Sequence, residues 1–270
     1  MSAEWATVPP RFPSHAPTIG ASQVNSAYHR RVALPADLGS ETSTGLVGGT
    51  SGDRPALIIP VGSLEQHGPH LPLDTDTRIA AAVGRAAAAR LGDGWLLAPA
   101  LNYGASGEHE GFAGTISIGT AALQQVLIEY GRSAGIWAGR MVFVNGHGGN
   151  VEALAGAVSV LRYEGRDAGW CSCTVRGADA HAGHTETSIL LHISPEDVRA
   201  DAVVPGNSAP LAELMPAMRA GGIAAVSAVG VLGDATTATE ADGARYVAAM
   251  VDECARKLSA WAPNGRGMLT

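Results

Sequence analysis

Short apolar runs alternate with helical patterns along most of this chain, and this alternation limits the fold more than any other feature. The runs have the length of buried strands, and apolar residues recur at helical spacing in the segments between them. Strands that alternate with helices form a mainly parallel sheet with helices packed on its faces. The sequence therefore predicts an α/β fold, with strands at 56–61, 95–98, 141–144 and 170–175.

Capping residues and apolar stripes mark the helices of this pattern. Asp76 or Thr77 can cap a helix that runs to Leu91, and Thr120 can cap the next helix. A further helix follows the glycine-rich turn at 146–149. We also expect helices at 187–192, at 208–219 and from Thr239 onward.

The length of 270 residues suits one large domain with its own hydrophobic core. The first residues are rich in proline, which favours an extended or disordered chain. We therefore expect residues 1–25 to form a disordered lead-in and residues 26–270 to form a single domain.

The charge pattern argues against a nucleic-acid partner, and the hydropathy argues against a membrane. The formal net charge is −7, and no cluster of Lys and Arg supplies the basic face that nucleic acid requires. No apolar run approaches the roughly 20 residues of a membrane span. The N-terminal residues lack the pattern of a secretory signal, so we expect a cytoplasmic protein. Only 16% of the residues are charged, which leaves a surface that a homo-oligomer could bury.

Three cysteines are present, Cys171, Cys173 and Cys254. An odd number in a cytoplasmic protein argues against a disulfide framework. Cys171 and Cys173 could bind a metal as a pair. Because no second thiol pair lies nearby, free thiols are the better interpretation.

Polar segments follow three of the predicted strands, at the position where parallel sheets bind their ligands. Another polar segment, rich in glycine, lies at 106–115. Six of the nine histidines fall in these four segments, and such a convergence is what a metal centre requires. These histidines are His67, His70, His109, His147, His181 and His184.

The first polar segment contains Glu65 and His67, which point the same way if the chain is extended there. Carboxylate and imidazole groups are common ligands of zinc, iron and manganese. Asp76 lies beyond Pro69 and Pro72, and the turns that these prolines favour could return it to the same point. The alternative is a solvated acidic loop that carries one histidine.

The second polar segment places His147 in a turn of glycines, which permit close approach of the backbone. The alternatives are a phosphate-binding turn and a simple tight turn between strand and helix. The phosphate interpretation is weakened because no Lys or Arg stands beside the turn.

The remaining two polar segments add further candidates. His181 and Glu186 follow the last predicted strand, although a carboxylate in the first turn of a helix also interacts favourably with the helix dipole. Glu108 and His109 are expected to line a wall of the pocket and to contact substrate rather than metal.

The chain resembles the creatininase family in four motifs, which occur in the order EQHGPHLPLDTD, GEHEGFAGT, NGHGGN and HAGHTETS. The resemblance runs from about residue 56 to about residue 245. It implies a three-layer α/β/α sandwich, assembly as a homohexamer, and a site that holds two divalent metal ions, which could be zinc, iron or manganese.

The resemblance also implies roles for single residues. Glu65 and His147 would bind one metal, His67 would bind the other, and Asp76 would bridge both. The family has a glutamate where this chain has Gly149, and Glu186 is the expected replacement. His181 matches the histidine that transfers protons. Besides Glu108 and His109, Trp170 is an expected substrate contact, because creatininase proper holds its substrate with tryptophans in this region.

The implied activity is hydrolysis of an amide bond by a metal-activated water. The amino acids of these motifs, and of the segment GVLGDATTAT at 230–239, most resemble one branch of the family. The members of that branch are peptidases of mycofactocin biosynthesis. The expected substrate is then a modified precursor peptide that loses a C-terminal Val-Tyr dipeptide. The alternatives are a hydrolase of small cyclic amides or formamides and a non-enzymatic metal-binding module.

Overall fold

The protein is described by a computed structural model over residues 36–47 and 54–270. The predicted lead-in at 1–25 and the predicted start of the domain lie outside the described residues. The strands are β1 Ala36–Asp37, β2 Ala56–Val61, β3 Trp95–Leu97, β4 Arg140–Asn145 and β5 Ala168–Ser172. The helices are α1 Ser43–Val47, α2 Thr75–Leu91, α3 Gly119–Ala134, α4 Val151–Tyr163, α5 His184–Ile193, α6 Leu211–Gly221 and α7 Glu240–Ala260.

The five strands form one parallel sheet in the order β1-β3-β2-β4-β5. The central strands β2 and β4 pair along six residues, from Ala56 opposite Arg140 to Val61 opposite Asn145. This register ends both strands at the same level, so the loops that follow Val61 and Asn145 start side by side. The first two polar motifs of the sequence therefore emerge next to each other.

Helices cover both faces of the sheet, and each face has its own apolar core. On one face α3 and α4 pack against side chains such as Phe143, with Leu123 and Leu154 among the residues they bury. On the other face α2, α5 and α7 pack against side chains such as Val142. The predicted three-layer α/β/α sandwich is confirmed.

The predicted elements are present, with shifts at their ends. The helix expected at 187–192 begins earlier, at His184, because the carboxylate of Asp179 accepts hydrogen bonds from the amides of His184 and Thr185. Cys171, Cys173 and Cys254 form no disulfide, as predicted. Among the helices of the described residues, none combines the length and apolar character that crossing a bilayer requires.

Glycines bring the start of α2 against the ends of the two central strands. A Cβ atom on Gly146 would lie 2.2 Å from the carbonyl oxygen of Asp76, and one on Gly62 would lie 2.4 Å from the Cα of Thr77. No side chain fits at these distances, so both positions require glycine. The close approach places Asp76 between the loops that leave β2 and β4.

We expect Gly146→Ala to destabilise the protein by roughly 1–3 kcal/mol, because the added methyl group must displace the first turn of α2. Gly148→Ala is the matched control, since a Cβ there meets open space in the same turn. Urea denaturation of both variants measures the free energies of unfolding. Equal values for the two variants would contradict the close packing of β4 against α2.

Candidate metal centre

Six of the expected site residues meet beyond the carboxyl ends of the central strands. The loop after β2 carries Glu65 and His67, and the first turn of α2 carries Asp76. The loop after β4 carries His147, the segment before α5 carries His181, and the first turn of α5 carries Glu186. All six residues are buried except Glu186, whose side chain is 22% exposed.

Asp76 lies at the middle of this group. Its Oδ1 is 3.3 Å from Nε2 of His67, and its Oδ2 is 3.2 Å from Nδ1 of His147. The hydroxyl of Ser63 donates a hydrogen bond of 2.6 Å to Oδ2 and holds the carboxylate in this orientation. The two oxygens thus face two different imidazoles, which is the arrangement that a bridging carboxylate needs.

Glu65 is fully buried, and its Oε1 lies 3.2 Å from Nδ1 of His147 and 3.3 Å from Nε2 of His109. Within 36–47 and 54–270, no residue donates a hydrogen bond to either oxygen of this carboxylate. Buried polar atoms nearly always have a partner. A divalent cation would satisfy these oxygens, so the carboxylate of Glu65 fits a metal ligand.

Glu186 approaches the group from the side of His67. Its Oε2 accepts a hydrogen bond of 2.6 Å from the amide of Ala182 and lies 3.8 Å from Nε2 of His67. Burial raises the pKa of Glu186 to about 7, although the nearby charge of His67 opposes this effect. A metal ion beside it would favour the ionised carboxylate.

Gly149, where the family resemblance expects a glutamate, has no room for a side chain. A Cβ there would lie 2.2 Å from the carbonyl oxygen of Ala105 and 2.4 Å from Nε2 of His147. The neighbouring space is taken by Glu108, whose Oε1 is 3.3 Å from Nε2 of His147. The carboxylate of Glu108 therefore lies beside Gly149, where the family glutamate is missing, whereas that of Glu186 lies on the side of His67.

His181 has one nitrogen fixed by the backbone. Its Nε2 lies 2.9 Å from the backbone carbonyl oxygen of Gln66 and 3.1 Å from the side-chain amide nitrogen of the same residue, so Gln66 contacts this nitrogen from both its backbone and its side chain. Its Nδ1 faces the carboxylates, 3.9 Å from both Glu65 Oε1 and Glu186 Oε2. Burial, with the charges of His67 and His109, lowers the pKa of His181 well below its ordinary value. The imidazole is therefore neutral at neutral pH.

Gln66 is a site residue that the sequence interpretation missed. Its Nε2 lies 2.9 Å from Nδ1 of His109 and donates to the carbonyl oxygen of Gly230 at 3.1 Å. The sequence feature that could have indicated Gln66 is its position between Glu65 and His67 in the first polar motif. A side chain that alternates with two candidate ligands points away from them and can brace the loops behind them.

Of the three expected substrate contacts, the structure brings two to the site. Glu108 and His109 line a cavity of about 490 Å³ together with Asp76, His147 and other residues of the centre. Trp170 does not reach this cavity, and its expected role was wrong. Its side chain is only 3% exposed within the core on the α3–α4 face, where Nε1 donates a hydrogen bond to the carbonyl oxygen of Arg266.

The buried charges of the centre compensate one another. Burial acts to lower the pKa of His67, but the carboxylates of Asp76, Glu186 and Glu65 raise it to about 10. Burial likewise opposes the charge on His147, and Glu65 and Asp76 raise the pKa of His147 well above its ordinary value. Without a metal, protons on these imidazoles neutralise the carboxylates, and a divalent cation would take the place of those protons.

The donor groups are near enough together to hold metal ions. Ligand atoms within 4.8 Å of one another occur in three sets, which are Glu65 with His67 and Asp76, Glu65 with His109 and His181, and His67 with His181 and Glu186. Mixed oxygen and nitrogen donors suit zinc, manganese and iron. The residues present therefore fit a metal centre.

Comparison with known proteins agrees with the motifs and the geometry. The family model described as creatinine amidohydrolase matches residues 41–258. The chain belongs to the creatininase family. Similar relatives of this creatininase-family chain include the mycofactocin precursor peptide peptidase of Mycobacterium ulcerans (strain Agy99). The two are 62% identical over 254 residues, which cover 92% of this chain and 100% of that protein.

Solved structures of creatininase share the fold. The structure described as "Creatininase Mn" matches with a TM-score of 0.69 and 28% identity, covering 85% of this chain and 100% of that chain. A glutamate-to-glutamine mutant of creatininase, described as "Zn-Zn type", matches with a TM-score of 0.70 and 28% identity, covering 86% and 100%. Creatininase structures with manganese and with zinc are thus among the neighbours of this fold.

We expect zinc binding to release protons and to tighten as the pH rises from about 6 to about 8, because the metal must displace the proton of His67. Titration calorimetry of the metal-free protein, in two buffers with different ionisation enthalpies, counts the released protons. His67→Gln should release fewer protons than the wild type, and His192→Gln, at an exposed position of α5, should match the wild type. A binding enthalpy independent of buffer would contradict the placement of His67 as a ligand.

Proposed function

We propose that this chain is a metal-dependent peptidase that removes a C-terminal Val-Tyr dipeptide from a modified mycofactocin precursor peptide. The similarity that supports this substrate covers 92% of the chain, and the relative concerned is a mycofactocin precursor peptide peptidase. The observation that carries the chemistry is the position of Asp76, whose two oxygens face the imidazoles of His67 and His147. A cytoplasmic location and a homohexamer stay predictions from the sequence.

Two divalent ions would share the centre around Asp76. Glu65 and His147 would hold one ion, His67 and Glu186 would hold the other, and the carboxylate of Asp76, which lies between the two imidazoles, would be shared. Zinc, manganese or iron bound there would activate a water and polarise the amide carbonyl of the substrate. The buried oxygens of Glu65, which lack a hydrogen-bond donor among the described residues, support this assignment.

We assign the proton transfer of the reaction to His181. We place the proton of the neutral imidazole on Nε2, where it can donate to the carbonyl oxygen of Gln66, so that Nδ1 is the acceptor on the side of the carboxylates. His181 also lines the cavity where a substrate would lie. It can therefore take a proton from the attacking water and deliver it to the departing amine nitrogen. His181 also belongs to two of the sets of donor groups that lie near enough together to hold a metal ion.

We expect wild-type protein to hold two metal ions per chain and Asp76→Asn to lose most of both, because the variant removes the shared negative charge. Asp74→Asn is the matched control, since Asp74 pairs with Arg78 on the outside of the same turn. Elemental mass spectrometry on identically purified proteins measures the metal content. Unchanged metal in Asp76→Asn would contradict the bridging role.

We expect the metal-loaded protein to shorten the modified precursor peptide by one Val-Tyr dipeptide, as measured by liquid chromatography and mass spectrometry. Creatinine and N-formylated amines serve as the competing substrates. Turnover of either of these with an intact peptide would establish a small-amide hydrolase instead. Bound metal without turnover of any substrate would support a metal-binding module.

We expect His181→Gln to lower kcat by roughly 10²- to 10⁴-fold with a smaller change in KM, because the proton acceptor is lost while the cavity keeps its shape. His192→Gln on α5 should retain the wild-type kcat, since that side chain is exposed and does not line the cavity. A kcat of His181→Gln within about threefold of the wild type would remove His181 from the mechanism.

A further inference from the structure

The cavity at the centre has two unlike walls. One wall carries the acidic and imidazole groups, and the other is formed largely by α6. Leu211, Met215 and Met218 of α6 line the cavity, and their spacing of four and seven residues puts them on one face of the helix. Ile223 and Leu232 extend this apolar surface. None of these apolar residues is required to hold a metal ion or to move a proton.

Arg219 lies on the same face of α6, eight residues after Leu211, and is the one Lys or Arg among the described residues that line the cavity. Within the described part of the chain, no carboxylate lies within 4.0 Å of its guanidinium group, and no hydrogen bond engages it. Other arginines of the chain, such as Arg78 and Arg132, are paired with carboxylates. The guanidinium of Arg219 is therefore available to an anion that enters the cavity.

The end of α6 is attached to the centre itself. Gly222, which ends the helix with a φ of +68°, lies so close to the next segment that a Cβ there would be 2.6 Å from the carbonyl oxygen of Glu108. Glu108 and His109 belong to that neighbouring turn and line the cavity. The last turn of α6, which contains Arg219, is thus held beside the acidic wall.

We propose that Arg219 binds the C-terminal carboxylate of the peptide substrate, while the apolar stripe of α6 binds the side chains of the departing residues. This inference rests on the proposed peptidase function and adds the residue that recognises the chain end. Guanidinium groups bind carboxylates through two parallel hydrogen bonds. A free carboxylate occurs on the main chain only at its C-terminus, so an arginine at one position along the cavity can set the number of residues removed.

The charges of the cavity support this orientation of the peptide. The wall that carries the acidic groups contains the carboxylates of Asp76, Glu108 and Glu186, which repel a second carboxylate near them. On the wall formed by α6, the positive charge of Arg219 attracts the carboxylate of the peptide instead. Methionines such as Met215 and Met218 are flexible and adapt to side chains of different shape. The Val and Tyr side chains of the proposed dipeptide are of the kind that such a surface accommodates.

The test compares two precursor peptides that differ only in ending with a carboxylate or with a carboxamide. We expect the wild type to cleave the amide roughly 10- to 100-fold less efficiently in kcat/KM, the loss that follows when a charged hydrogen bond is removed. Arg219→Gln should cleave the carboxylate peptide with a similar loss and show no further loss with the amide. Arg219→Lys should recover part of the preference because it keeps the charge. Arg85→Gln, which removes an exposed arginine paired with Asp37, should behave as wild type.

A binding measurement separates this inference from the proposed peptidase function. Titration calorimetry of zinc-loaded protein with free Val-Tyr, and with its C-terminal amide, needs no turnover. A preference for the carboxylate form that disappears in Arg219→Gln supports the inference, even if no peptide is cleaved. An unchanged preference in Arg219→Gln, or equal affinity of the wild type for both forms, overturns it. Thermal unfolding of each variant checks that the helix is intact.

Discussion

The site depends on the burial of two carboxylates, those of Glu65 and Asp76, beside the imidazoles of His67 and His147. An isolated ionised carboxylate in a protein interior costs several kcal/mol, so it must be paired with positive charge. The imidazoles can supply that charge as protons, and metal ions would supply it in the proposed metal centre. The same carboxylates that need compensation are therefore the groups that would attract a cation.

The sheet provides the positions from which this pairing becomes possible. Because β2 and β4 end at the same level, the loops that carry Glu65 and His147 begin next to each other. Because residue 146 is glycine, no side chain there holds α2 away from β4, and Asp76 reaches the space between the two loops. Glu65, Asp76 and His147 thus come from separate elements, and their relative positions depend on the packing of the backbone.

The sequence predicted the parts of this arrangement that leave a local pattern. The apolar runs predicted β2 and β4, and the polar motifs after them predicted Glu65, His67 and His147. The sequence could not show which way a buried tryptophan faces, and Trp170 proved to belong to the core on the α3–α4 face. The contacts of Gln66 with His109 and with Gly230 join segments far apart in the chain. Such contacts follow from the three-dimensional packing, which no short motif encodes.

The wall formed by α6 bears on the difference between a peptidase and a hydrolase of small amides. The pattern of α6 predicted a helix, yet its role was not evident from its sequence, because an apolar stripe is usually directed at a core. Here Leu214 packs into a small core with Ile223, while Met215 and Arg219 line the cavity. A small cyclic amide would engage the metal ligands and leave most of this surface without a function. A peptide end offers side chains to the apolar stripe and a carboxylate to Arg219, so it uses both walls of the cavity.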